Sequence, residues 1–194
     1  MKPDFDRAQN AATELLLNQT IDSLYLDARN FILPDGIIID TVQNFSELTQ
    51  CPITELGIGS IDGACLLQQG SHQIILYDDT IRNEQRKHWG IIHELGHACL
   101  GHSRDDRKDE IEAHFFAAQL VSPEIVLVDI CKRRGHLSDY DLYNNFNLSL
   151  EAAQKRIRTL QQRSCYNSGE IDRKLLEKFT PVLDRNFAFR SNAS

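Results

Sequence analysis

The chain has 194 residues, 41% of them hydrophobic, enough for one domain or one domain with a small appendage. Its formal net charge of −7 at pH 7 excludes a general affinity for nucleic acid or membrane surfaces, though not a local basic patch. The five cysteines (Cys51, Cys65, Cys99, Cys131 and Cys165) are scattered, odd in number and contain no C-x-x-C, which fits free thiols in a reducing compartment better than a disulfide framework.

The N-terminus is polar and acidic, without the apolar stretch of a signal peptide, and no apolar run is long enough to span a bilayer. A soluble, cytoplasmic protein is expected. Asp6 can cap a helix over 7–17, whose Ala8, Ala11, Ala12, Leu15 and Leu16 follow helical spacing. A second helix is expected from Ile21 to Phe31, ahead of Pro34. Pro34-Asp35-Gly36 signals a turn, Ile37 to Ile39 a strand, and Thr41 to Gln50 a short helix. Residues 57–79 read as a meander. Its strands, Ala64–Leu67 and Gln73–Tyr77, are joined by a hairpin at 68–71. The second strand leads into an apolar helix begun by Asp78, Asp79 and Thr80 and stopped by Gly101. A charged loop, 102–108, precedes a helix from Asp109 to Leu120. Ser122 caps the next helix, with Pro123 at its first position and Gly135 at its end. Ser138 and Ser149 then cap helices to Phe146 and about Gln162. After a polar linker at 164–170, a short helix from Ile171 is ended at Phe179 by Pro181, and 182–194 are expected to be poorly ordered.

The stretch from Trp89 to Gly101 carries the chemistry. His93 and His97 stand four apart on one helix, so both imidazoles project from one face and can hold one zinc ion (Zn²⁺). Glu94 sits one residue round, where it can reach a water on the metal rather than the metal itself. Ile91, Ile92, Leu95, Ala98, Cys99 and Leu100 make this helix apolar on nearly every side. Buried polar groups there need partners, and a metal supplies one. A third protein ligand is required. The extended H-E-x-x-H-x-x-G-x-x-H pattern fails by register: its glycine would stand at Leu100 and its histidine at Ser103, which leaves His102 as a surface or helix-end residue. The alternative is a carboxylate on the next helix. Glu112 shares a core-facing stripe with Phe115, Phe116 and Gln119, and Glu110 shares the neighbouring face with His114. The stripe favours Glu112 and leaves Glu110 open.

The pair of motifs H-E-L-G-H-A-C-L-G-H and E-I-E-A-H-F-F-A-A-Q-L-V-S-P, Glu110 to Pro123, resembles the ImmA/IrrE metallo-endopeptidases. In that family an H-E-L-G-H helix is followed by an E-A-N-x-F-A-A-x-L-L-M-P-like segment, and the likeness extends over about Ile58 to Leu160. The resemblance implies that His93, His97 and Glu112 bind zinc, and that Glu94 is the general base. The chain departs from the pattern at His114, where the family has Asn, and at Val121-Ser122, where it has Leu-Met. His114 can add a hydrogen bond or compete as a ligand. The implied fold is α+β. It has a zincin-like peptidase core with a small sheet over 1–135, a helix-turn-helix-like segment over 136–163 and a C-terminal tail over 164–194.

The expected reaction is peptide hydrolysis, with Tyr77, His88 or His114 as donors to the oxyanion and Ile74–Tyr77 either as an edge on which a peptide could lie or as an ordinary core strand. By resemblance, the substrate is a helix-turn-helix repressor whose cleavage derepresses genes of a mobile element, phage or stress response. Residues 132–163 hold seven basic residues (Lys132, Arg133, Arg134, Lys155, Arg156, Arg158, Arg163) against Asp139, Asp141 and Glu151. That leaves two rival readings: a DNA-binding regulator, or a toxin–antitoxin-type interaction protein with a zinc site of little activity. A solvated basic face on a packed helical pair is favoured over direct DNA contact.

Overall fold

Residues 2–56, 63–102, 106–162 and 169–188 are described in the computed structural model. Among them the order of elements is α1 (Phe5–Leu17), β1 (Ile37–Thr41), α2 (Val42–Thr49), β2 (Ala64–Gln69), β3 (His72–Tyr77), α3 (Glu84–Cys99), α4 (Arg107–Val121), α5 (Glu124–Arg134), α6 (Asp139–Phe146), α7 (Leu150–Gln162) and α8 (Glu170–Asn186). The class is α+β. The chain divides into two units, residues 1–12 with 27–117 and residues 13–26 with 118–194, so the boundary anticipated at 135 falls inside the second unit. The start of the anticipated meander (57–62), part of the charged loop (103–105) and most of the polar linker (163–168) lie outside the described residues.

The first unit is built on a three-stranded sheet in the order β1-β3-β2. β3 is parallel to β1, with Ile38 opposite Ile74, and antiparallel to β2, with Leu66 opposite Ile75. β3 is therefore central, a core strand and not an edge; among the described residues β1 and β2 are the edge strands. A two-residue loop joins β2 to β3, because Gln69 pairs with His72. Gly70 opens that loop at φ +61, a left-handed conformation that costs a residue with a Cβ. The period of two sorts β3's side chains. Ile74 and Leu76 join Val42 and Leu56 in one buried cluster, with Phe45, Cys65 and Leu67 at its margin, while Ile75 is fully buried on the other face. α3 packs on β2 and β3.

The helix anticipated over 21–31 is absent. Only a 3-10 turn, Ala28–Asn30, forms, with Asp27 accepting from the Arg29 amide. The Ala28 amide, at the start of that turn, is held by a bond to His88 Nε2 at 3.2 Å. α3 begins later than Asp78–Thr80, with Asn83 as N-cap accepting from the Arg86 amide.

In the second unit α5 packs with α8, and α6 with α7. Pro123 itself is the N-cap of α5, and Ser122 instead donates to the Ala118 carbonyl. α8 does not stop before Pro181 but runs through it to Asn186. Proline removes one helical hydrogen bond. Leu175, Phe179, Val182 and Leu183 nonetheless form a buried stripe spanning the break, and that apolar burial outweighs the lost bond. Lys178 Nζ donates to the Leu17 carbonyl, and Arg185 to that of Asp22 at 2.8 Å.

α6 and α7 are joined by Asn147-Leu148-Ser149, with Asn147 left-handed at φ 52. Three of the basic residues flagged in the sequence are committed inside this unit. Arg133 pairs with Asp129 and Asp184, and Arg134 with Asp141 at 2.6 Å. Arg156 is buried, donating to Gln119 Oε1 at 3.2 Å and to the Ser122 carbonyl at 2.8 Å. Among the described residues no helix is long and apolar enough to cross a membrane; the bent pair α4 and α5 passes such a test only jointly.

Ser138 caps α6 in a reciprocal box: it accepts from the Asp141 amide, and Asp141 accepts from the Ser138 amide and hydroxyl. Ser138→Ala should cost about 1 kcal/mol of stability in a urea titration, as the loss of an N-cap does. A null effect would show that α6 is held by packing alone.

Candidate metal centre

α3 buries ten of its sixteen residues, among them Ile91, Ile92, Leu95 and Ala98. Its polar groups therefore have few neighbours except each other and α4. His93 and His97, one turn apart, present their Nε2 atoms 3.2 Å from each other. From α4, Glu110 brings Oε2 to 3.3 Å from His93 Nε2 and Oε1 to 3.2 Å from His97 Nε2. Two imidazoles and one carboxylate converge on one point. Ligands bound tetrahedrally at zinc distances of about 2.0–2.1 Å lie about 3.3–3.4 Å apart, so this donor set fits a zinc ion without rearrangement.

The approach of α4 depends on Gly96. A Cβ at Gly96 would stand 3.1 Å from the Ala113 carbonyl oxygen, 3.1 Å from Phe116 Cδ1 and 3.2 Å from Ala113 Cα. Glycine on α3 and alanine on α4 let the two backbones close, and one turn before Ala113 that closure sets Glu110 against the histidines.

Burial prepares the imidazoles. It pushes the His93 pKa down to about 3, helped by the neighbouring His114, His97 and His102. The ring is thus neutral at physiological pH, the form that binds a metal. His93 Nδ1 is buried and has no hydrogen-bond partner among the described residues. His114 lies beside it, ring centroids 4.4 Å apart, and stacks toward Trp89 at 6.1 Å. The ligating atoms of His93, Glu110 and His114 lie within 4.8 Å of one another. Glu94 is half-buried next to His93. On β2, burial and then the charge of Glu94 push the Cys65 thiol up to about 11. Burial alone pushes Cys99 up to about 12, as expected of an inert core thiol.

The structure brings together His93, His97 and Glu110, with Glu94 and His114 alongside. It does not bring Glu112 to the pair of histidines. Glu112 is fully buried elsewhere: Oε1 accepts from the Asp4 amide at 2.7 Å and Lys108 Nζ at 3.0 Å, and Oε2 lies 3.2 Å from His102 Nε2. The stripe that favoured Glu112 does face the core, but the core is not the site. His102 is also not a surface residue. Its side chain is 3% exposed and lies between Glu112 and His97, with its Nδ1 3.2 Å from His97 Nδ1. Register excluded it from one ligand pattern and was silent on its burial. His88 is committed to the Ala28 amide, and Tyr77 ends the central strand opposite Ala64 and Thr41. Asp4, Arg7 and Lys108 carried no motif, and sequence reasoning had no signal for them.

Paired histidines and a carboxylate from the following helix, with a glutamate after the first histidine, are the donor set that zinc hydrolases use. A family model described as the IrrE N-terminal-like domain of the M78 peptidases matches residues 50–158, and the chain belongs to that ImmA/IrrE family. Comparison with curated proteins and with solved structures finds no match.

Two outcomes follow. Gly96→Ala should cost about 1–3 kcal/mol, because backbone atoms must yield, and should weaken zinc binding; Gly96→Val should do more of both. Thermal melts and chelator competition read the two effects, and unchanged zinc affinity in Gly96→Val would refute the role given to the helix contact. The metal-free protein should lose stability as pH falls from about 6.5 toward 3. There the unfolded chain takes up a proton that folded His93 resists; the contribution is complete above 6.5. The loss should be smaller in His93→Gln, measured by urea titration across that range.

Proposed function

We propose that this protein is a zinc-dependent endopeptidase in which His93, His97 and Glu110 hold the metal and Glu94 is the general base. The observation that carries it is the convergence of both Nε2 atoms and the Glu110 carboxylate at 3.2–3.3 Å. When bound, zinc activates a water for attack and polarises the scissile carbonyl. Glu94, placed one position round from the ligand face, takes the proton of the attacking water and returns it to the leaving amine nitrogen. His114, exposed on the same face of α4 as Glu110, donates to the carbonyl oxygen as it gains charge. The peptide lies extended along β2, which has no second strand partner among the described residues, whereas both edges of β3 are paired.

The substrate we propose is a helix-turn-helix repressor, and such a partner places the enzyme in the cytoplasm. The family resemblance supports this reading. The direct DNA-binding alternative is weakened by the internal partners of Arg133, Arg134 and Arg156.

Glu94→Gln should retain one zinc per chain while hydrolysis falls about 10²–10⁴-fold. Glu110→Gln should lose both zinc and activity. Metal content by mass spectrometry and peptide cleavage by chromatography check these. Undiminished cleavage by Glu94→Gln would sink the mechanism, and full zinc occupancy in Glu110→Gln would sink the ligand assignment. If a helix-turn-helix repressor encoded beside the protein stayed intact while generic peptides were cut, the narrow substrate reading would fail.

A further inference from the structure

A carboxylate, two histidines and the candidate metal point stand in line. Glu112 Oε2 is 3.2 Å from His102 Nε2, His102 Nδ1 is 3.2 Å from His97 Nδ1, and His97 Nε2 faces His93 and Glu110. Hydrogen-bond chemistry fixes the direction of this chain. A carboxylate only accepts, so His102 Nε2 must carry a proton. Neutral His102 then has a lone pair at Nδ1, so the proton between the two Nδ1 atoms must belong to His97. Neutral His97 is left with its lone pair at Nε2, aimed at the point shared with His93 and Glu110. We propose that Glu112 and His102 are positioning residues, a two-step relay that holds His97 in the tautomer and orientation able to bind the metal. This rests on the zinc-peptidase reading above.

Glu112 is well placed for the task. It is fully buried, and its other oxygen is fixed by the Asp4 amide at 2.7 Å and by Lys108 at 3.0 Å, with Arg7 Nη1 3.9 Å from Oε2. Arg7 also donates to the Leu100 carbonyl at the end of α3. With the Asp4 amide and the Lys108 ammonium both aimed at it, the Glu112 carboxylate is the acceptor that the relay needs. The donor atoms of His102, Asp109 and Glu112 are close enough for a second metal ion. Lys108 and Arg7, however, already supply positive charge beside Glu112, and the amide of Asp4 occupies a lone pair. Orientation of a ligating histidine by a carboxylate is common; here a second histidine stands between the two. His93 has no such support among the described residues, since its Nδ1 is without a partner. The two ligands are therefore not equivalent: His97 is held by the relay, and His93 by packing against His114.

The test uses the full chain labelled with ¹⁵N-histidine and loaded with zinc. Long-range ¹H–¹⁵N spectra should show His102 as the Nε2–H tautomer and His97 protonated at Nδ1. His102→Phe removes the relay but leaves the other bonds of Glu112 in place; Glu112→Met removes the acceptor. Each should lower zinc affinity about 10–100-fold in chelator competition, the range for lost outer-shell partners. Glu112→Gln, whose amide oxygen can still accept, should lose less than Glu112→Met. In Glu112→Met, His102 should lose its fixed Nε2–H tautomer, a change that a purely structural role would not produce. Melting of the metal-free variants shows that each is folded. If the native chain binds one zinc but both variants bind it as tightly, or if His102 is the Nδ1–H tautomer, the relay is overturned while the peptidase reading stands. If the native chain binds two zinc ions, with His102 a ligand of the second, the relay is also overturned. If it binds none at His93, His97 and Glu110, the peptidase reading fails, and the relay with it.

Discussion

The closest approach of two helices, at Gly96 of α3 and Ala113 of α4, is the contact on which the rest of the site depends. Metal ligation from two helices requires that their backbones lie near enough for short side chains to meet. A Cβ at Gly96 would crowd both the Ala113 backbone and the Phe116 ring. Ala113, Phe116 and Ala117 are fully buried, so α4 has no freedom to retreat without opening the core. The glycine of H-E-L-G-H thus does no metal chemistry itself. It sets the distance over which Glu110 reaches across to His93 and His97.

That closeness has an electrostatic consequence. His93, His97, His102 and His114 lie within ring-contact distance in sequence, each next to another. Burial, followed by the charges of these neighbours, keeps His93 neutral until about pH 3. His93 amid this crowd resists a proton. It offers a lone pair instead, and a lone pair beside a carboxylate is a demand for a cation.

Much of this was legible in the sequence. The helix bearing His93, Glu94 and His97 declared itself by spacing and an apolar surround. The caps at Ser138 and Ser149, the stop at Gly135 and a hairpin within 68–71 declared themselves by turn chemistry, though the loop proves to be only Gly70-Ser71. What was not legible depended on contacts far apart in the chain. A proline normally ends a helix, and only the burial of Val182 and Leu183 beyond it carries α8 onward. Strand order is not written in strand sequence, so the edge and core readings of β3 stayed open until β1 was seen beside it. Arg156 looked like part of a basic face because its partners, Gln119 and the Ser122 carbonyl, are more than thirty residues away.

The choice between two glutamates shows why periodicity reaches a limit. Residues 110 and 112 lie about 200° apart around a helix, so one helix can place them against quite different surroundings. Glu112 is fully buried while the Glu110 side chain is 40% exposed, and burial alone does not mark a ligand. Their partners do. Glu112 is satisfied by protein donors: a main-chain amide, an ammonium and an imidazole N–H. Glu110 meets His93 and His97 at the Nε2 atoms that face each other. A carboxylate whose needs the chain already meets becomes part of the scaffold. One set against two imidazole nitrogens that also face each other calls for a cation, and that difference, invisible in the spacing, is the ground on which Glu110 is proposed as the ligand and Glu112 as its support.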